Sequence, residues 1–192
     1  MKRFWAILGF WVMGVSAALA QKIDYKNAIR VGVDYLSLDA PDSGGNRYLV
    51  RYARHLGNDR IVLEASLGYL KVSNSQLLPS QFVFEGRPRK RITTDVMASF
   101  DFVRNPQHAL RLGIGPSVWY REDDVVRSAR YEGTTVTIEN RKIDEVNIGG
   151  NVAVEYEIVV FDRINLGVRA GLTNFKTAGI SSMVGLNGGF TF

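Results

Sequence analysis

Between Ala28 and Phe192 the chain falls into eight segments in which apolar and polar residues exchange places at every second position. That period belongs to an extended strand, whose successive side chains point to opposite faces. In the first segment Ile29, Val31, Val33 and Tyr35 face one way, and Arg30, Gly32 and Asp34 the other. The second sets Tyr48, Val50 and Tyr52 against Arg47, Leu49, Arg51, Ala53 and His55. The third sets Ile61, Leu63, Leu67 and Tyr69 against Val62, Glu64 and Ser66, and the fourth Ile92, Val96, Phe100 and Phe102 against Asp95, Met97 and Asp101. Segment five places Arg111, Ser117 and Trp119 behind Leu110, Leu112, Ile114, Val118 and Tyr120. In the sixth, Asn147, Asn151 and Glu155 oppose Val146, Ile148, Val152, Val154 and Tyr156. The seventh opposes Arg169 to Ile164, Leu166 and Val168. The last opposes Met183, Gly185, Asn187 and Thr191 to Val184, Leu186, Gly188, Phe190 and Phe192.

No charged residue interrupts the middle of any apolar face, whereas the opposite faces collect Arg30, Asp34, Arg51, Glu64, Asp95, Asp101, Arg111, Glu155 and Arg169. A cation at the midplane of a membrane barrel costs roughly 2–4 kcal/mol, so this segregation is what a lipid-facing exterior requires. The pattern predicts an all-β fold, an eight-stranded antiparallel up-and-down transmembrane barrel with the charges inside. Alternation by itself also fits a soluble barrel that keeps its apolar face inward around a ligand. Aromatic residues weigh toward lipid: Tyr35, Tyr48, Tyr69 and Tyr120 gather near one set of strand ends, and Phe100, Phe102, Tyr156, Phe190 and Phe192 near the other.

Connections after the second, fourth and sixth segments are short, at Gly57-Asn58-Asp59, Arg104 to His108, and Val160-Phe161-Asp162. The others read as longer exposed connections, near Asp39 to Asn46, Ser73 to Arg91, Glu122 to Ile143 and Asn174 to Ser181. This asymmetry predicts short periplasmic turns, outer loops and periplasmic termini. Within the third long connection, the β-branched run Thr134 to Ile138 predicts a hairpin that continues strands five and six and turns near Glu132 and Gly133.

The first twenty residues have a different character. Lys2 and Arg3 precede an apolar stretch from Phe4 to Val15 and the small-residue site Ala18-Leu19-Ala20. That reads as a secretory signal peptide over residues 1–20, leaving one domain, the barrel, over residues 21–192. The apolar run is shorter than the roughly 20 residues of a spanning helix. Mean hydropathy is -0.05, as expected when lipid-facing and lumen-facing residues alternate. There is no cysteine, so an exported chain must hold together by closure and packing. Net charge is +5, and +3 once Lys2 and Arg3 leave with the leader, too mild an excess to indicate nucleic-acid binding.

Leader, eight alternating segments, unequal connections and a strand ending Leu186-x-x-x-Phe190-x-Phe192 together resemble the small bacterial outer-membrane barrel superfamily that includes OmpX and the membrane domain of OmpA. The resemblance implies that the terminal Phe strand is read by the barrel-assembly machinery. Outer-membrane lipid and lipopolysaccharide are its implied surroundings.

Eight strands enclose a space narrow enough for side chains to fill, so the inward charges predict a packed polar network rather than an open pore. The reading is a non-enzymatic outer-membrane protein, without a cofactor, serving envelope integrity or surface interaction through its loops. A narrow channel and a lipid A-modifying enzyme are the alternatives. His55 and His108 are the two histidines, both mapped to the periplasmic side and neither in a Ser-containing motif. Arg87, Arg89, Lys90 and Arg91, beside Phe82 and Phe84, form either a solvated loop or a contact for lipopolysaccharide phosphates or a surface protein. Glu122-Asp123-Asp124 is a weak candidate for a cation site. Glycines crowd strands five to eight without a following helix, which argues for space in the lumen rather than a nucleotide loop.

Overall fold

The computed structural model describes residues 26–38, 43–56, 60–77, 83–103, 105, 107–132, 135–175 and 179–192. They form eight strands: β1 Asn27–Leu38, β2 Ser43–Leu56, β3 Ile61–Leu77, β4 Val83–Asp101, β5 His108–Glu132, β6 Thr135–Val160, β7 Ile164–Phe175 and β8 Gly179–Thr191. Each pairs antiparallel with its sequence neighbour, and β8 pairs with β1, so the sheet closes into a barrel. Closure runs from Ala28↔Thr191 through Val31↔Gly188 to Leu36↔Met183. It is clamped at the terminus by reciprocal backbone hydrogen bonds, Asn27 N–H to Phe192 O at 3.0 Å and Phe192 N–H to Asn27 O at 2.7 Å. A closed ladder leaves no strand edge within the wall, which lipid would penalise by several kcal/mol per unpaired group.

The parity read from the sequence is the parity of the wall, and its direction settles which face is inside. Leu110, Leu112, Ile114, Val118 and Tyr120 of β5 are exposed, while Arg111, Ser117 and Trp119 between them are buried. The same holds around the barrel: Val31, Val50, Leu67, Val96, Val152, Val168 and Leu186 lie outside, and Arg30, Arg51, Glu64, Asp95, Asn151, Arg169 and Asn187 inside. A soluble ligand-binding barrel would have the opposite arrangement. A continuous apolar belt of this extent far exceeds the patches that soluble monomers expose.

The two ends differ. At the end holding Asn27 and Phe192 the connections are short, and in the β6–β7 turn both Phe161 and Asp162 adopt left-handed backbone, at φ 52° and 61°. At the opposite end the strands run much further than their alternation indicates. β3 and β4 stay paired out to Leu77↔Val83, with a register shift beyond Val72, and β5 and β6 stay paired out to Glu132↔Thr135, with a shift beyond Val126. The hairpin expected near Glu132 is therefore present. Most of what reads as long connections, Ser73 to Arg91 and Glu122 to Ile143, is strand instead. Beyond the membrane both faces of a strand meet water, so the apolar-polar period that marks a strand fades while the backbone pairing continues.

One break interrupts the wall. The β4–β5 ladder skips Val96 and Met97, opposite Pro116 and Gly115. Pro116 has no N–H to donate, and Gly115 packs so closely on the Val96 carbonyl that a β-carbon has no space there.

Candidate functional site

The interior is built from inward positions two residues apart, so each strand delivers one or two charges to the lumen. Among the described residues six arginines are buried, Arg30, Arg47, Arg51, Arg91, Arg111 and Arg169, and six carboxylates, Asp34, Glu64, Asp95, Asp123, Glu155 and Glu157. Buried charge is thus balanced, which is the condition for placing ions where water is scarce.

Nearer the termini the ions form one alternating chain across the barrel. Arg51 grips Glu155 with both terminal nitrogens, Nη1 to Oε2 at 2.5 Å and Nη2 to Oε1 at 3.1 Å. Its Nη1 also reaches Glu64 at 3.3 Å. Glu64 accepts from Arg30 at 3.1 Å, and Arg30 Nε lies 2.8 Å from Glu157. Glu157 accepts from Arg111 at 3.1 Å, and Arg111 ends the chain 3.8 Å from Asp101. Six of the eight strands, β1 to β6, are tied together by this chain, which is why it resists splaying of the wall.

A second cluster centres on Arg47, held between Asp34 at 2.5 Å and Asp95 at 3.0 Å. Asp95 also accepts from Ser66 at 3.2 Å and from Ser117. Gly68, Gly185 and Gly189 supply the room, since a β-carbon there would press on Arg47, Asp34 and Arg30 respectively. Arg169 extends toward Met97 Sδ at 3.2 Å and makes no ion pair among the described residues.

Above these ions sits an apolar plug of Leu36, Leu70, Val72, Met97, Trp119, Ala153 and Met183. Met183 Sδ lies 3.4 Å from Arg47 on one side, and Arg91 stacks over Trp119 at 5.7 Å on the other. A rim cluster closes the top: Asp123 lies 2.5 Å from Arg121 and 4.0 Å from Arg91, and Arg121 reaches Glu145 at 3.3 Å. Ion pairs, apolar plug and rim cluster succeed one another along the lumen.

Of the charges expected inside, Arg30, Asp34, Arg51, Glu64, Asp95, Arg111, Glu155 and Arg169 are buried in the lumen, and Asp101 is half-buried at its terminal end. Two principal members escaped the sequence reading of the network, Arg47 and Glu157. Both lie on inward parity: Arg47 already stands on the inward face of the second segment, and extending the sixth by one step finds Glu157. The basic run is corrected in position: Arg87 to Arg91 belong to β4 rather than a loop. Phe82 lies outside the described residues, as do the side chains of Phe84 and Arg87. Arg89 is half-buried, Lys90 is exposed, and Arg91 points inward and is buried. The same alternation splits the acidic trio, with Glu122 outside near Lys142 at 3.6 Å and Asp123 inside with Arg121. His108 Nδ1 pairs with the Tyr156 hydroxyl at 2.9 Å rather than with a serine. Leu186, Phe190 and Phe192 of the terminal strand face outward.

No protein-family model and no curated protein sequence matches the chain. Solved structures do. Neisserial surface protein A superposes with a TM-score of 0.56 at 13% identity, over 88% of this chain and 97% of that one. OprG from Pseudomonas aeruginosa gives 0.54 at 7% identity, over 88% and 96%. Ail, the attachment invasion locus protein of Yersinia pestis, solved with the heparin analogue sucrose octasulfate, gives 0.52 at 9% identity, over 87% and 97%. The chain has the fold of the small bacterial outer-membrane barrels, and at these identities the likeness concerns the fold.

Proposed function

We propose that the chain is a non-enzymatic outer-membrane barrel with a sealed lumen, which displays the β5–β6 ribbon at the cell surface for contact with a partner protein. In this reading residues 1–20 are a cleaved export signal, residues 21–192 the barrel, and both termini are periplasmic. The Phe192 strand presents Leu186, Phe190 and Phe192 to the barrel-assembly machinery.

The observation that carries the reading is the ribbon itself. β4 leaves β5 at Lys90↔Glu122, and β7 leaves β6 at Phe175↔Gly149. From there to Glu132↔Thr135 the two strands have only each other among the described residues, over roughly 35 Å at about 3.4 Å per residue. Unpaired edges of that length can template a further strand; here they carry charged residues such as Arg127, Arg130, Arg141 and Lys142 and a register shift beyond Val126, so pairing is confined to a partner of matching charge. Sealing disfavours the pore, because a conducting path requires water where the ion chain and the plug now stand. An acyl-transfer enzyme needs a nucleophile and a base within reach of each other, and His108 is occupied by Tyr156.

Excision of residues 126–140 tests this. The shortened barrel is expected to keep heat-modifiable gel mobility and to stay silent in planar bilayers, as the intact protein does, while losing adhesion of the expressing cells to their surface partners. Unchanged adhesion overturns the display function, and reproducible conductance of the intact protein favours the channel.

A further inference from the structure

We propose that the outer wall running from β7 and β8 across β1 to β4 is a binding site for a phosphorylated, multiply acylated glycolipid, the lipid A part of lipopolysaccharide, with its phosphate between Lys71 and Lys90. This rests on the outer-membrane reading above and identifies one lipid contact within it.

Lys71 and Lys90 stand directly opposite each other on adjacent strands, and both are exposed on the outward face. Like charges in that relation repel, so the pair is unfavourable unless an anion lies between them. Neither lysine has an ion pair among the described residues. The acid across from Lys90 is Glu122, and it is engaged by Lys142 at 3.6 Å, which also holds Asp144 at 3.1 Å. Hydrogen bonding and charge from Asp144 keep Lys142 above the ordinary lysine range, so it stays cationic beside the pair.

One row below the lysines, Tyr69 pairs with Tyr48 on one side and Ile92 on the other, and Ile92 with Tyr120. Such a row of tyrosines marks the boundary of the hydrocarbon, with headgroups at the level of the lysines. Beneath it the wall is apolar and open to the outside. A groove of about 940 Å³ runs past Tyr48, Val50, Leu67 and Val31 toward Leu166, floored by Gly188. The groove crosses β7, β8 and β1 to β4, an arc of roughly 24 Å at about 4.8 Å per strand, wider than a single extended hydrocarbon chain. A two-chain phospholipid would also place a phosphate at this height. The lipid A assignment follows from the breadth of the groove and from its place at the end opposite the termini, in the outer leaflet.

The test uses the intact barrel in phosphatidylcholine nanodiscs, with its folded state checked by gel mobility. Three probes are added: diphosphorylated lipid A, the same lipid without phosphates, and phosphatidylglycerol. Retention of each is read by native mass spectrometry. Lys71→Ala with Lys90→Ala is expected to bind the diphosphorylated lipid about 30-fold more weakly, with no change for the dephosphorylated one. Gly188→Leu, where a β-carbon meets Leu166 only at 3.4 Å, is expected to fold and to weaken both lipid A forms by filling the groove. Equal retention by the double variant and the parent, or retention of phosphatidylglycerol equal to that of lipid A, overturns the site while leaving the barrel standing. A parent chain that does not enter the bilayer overturns both.

Discussion

Replacing Arg51 with methionine is expected to destabilise the barrel by about 3–5 kcal/mol, the cost of stranding buried carboxylates by removing their cation. Arg51 is the only residue of the ion chain that bridges Glu155 and Glu64, at 2.5 Å and 3.3 Å. Without it Glu64 keeps Arg30 as a direct partner, whereas among the described residues Glu155 keeps the Asn187 amide, at 3.5 Å, as its hydrogen-bond partner. Pairing the change with Glu155→Leu removes the stranded charge and should recover most of the loss, since a well-packed apolar pair often replaces a buried ion pair at little cost. A urea titration followed by the unfolding-linked gel shift measures both. A loss below about 1 kcal/mol for the single variant would mean that the lumen is wet and its ion pairs behave like surface ones.

Placing a cation on the outer face has a similarly large expected effect for a different reason. Ile114 is 67% exposed, between Tyr120 further along β5 and Leu110, which pairs with Tyr156 of the opposite girdle. Ile114→Arg should cost about 2–4 kcal/mol, because the guanidinium is then at the depth where hydrocarbon surrounds the wall. Phe161→Arg, at an 85% exposed turn position beyond the girdle, should cost no more than about 1 kcal/mol. In a water-exposed barrel the ranking disappears, since substitutions at exposed sites free of special contacts stay within about 0.5 kcal/mol. Refolding both variants into lipid vesicles and comparing their urea midpoints distinguishes the two environments.

These two experiments concern opposite faces of one pattern, and that pattern was largely legible in the chain. Outward Val31, Leu67 and Leu186 and inward Arg30, Glu64 and Asn187 follow from alternation, because a one-residue slip would turn every side chain to the wrong face. Closure by β8 on β1 follows from the same parity together with the cost of an open edge in lipid. What alternation could not supply was its own direction: an inward apolar face has the same period, and the wall had to be seen from outside to place Arg51 within. It also failed where the membrane stops. Lys90 and Arg91 read as part of a loop because neither face of that stretch is apolar, yet backbone pairing carries them along β4 and sends Lys90 out and Arg91 in. Partner choice was only partly legible: Asp34 is the direct register neighbour of Arg47 on β1, whereas Asp95 reaches it from β4, two strands away, through tilt and stagger that no single strand encodes.

The central claim is that the apolar wall sits in the outer membrane around a closed lumen. Its most direct test is fractionation of the cell envelope, followed by electrophoresis of each fraction with and without boiling. The protein is expected in the outer-membrane fraction, migrating as a compact folded species until boiled and more slowly afterwards. Recovery in the soluble periplasmic fraction, or one mobility under both conditions, would contradict it.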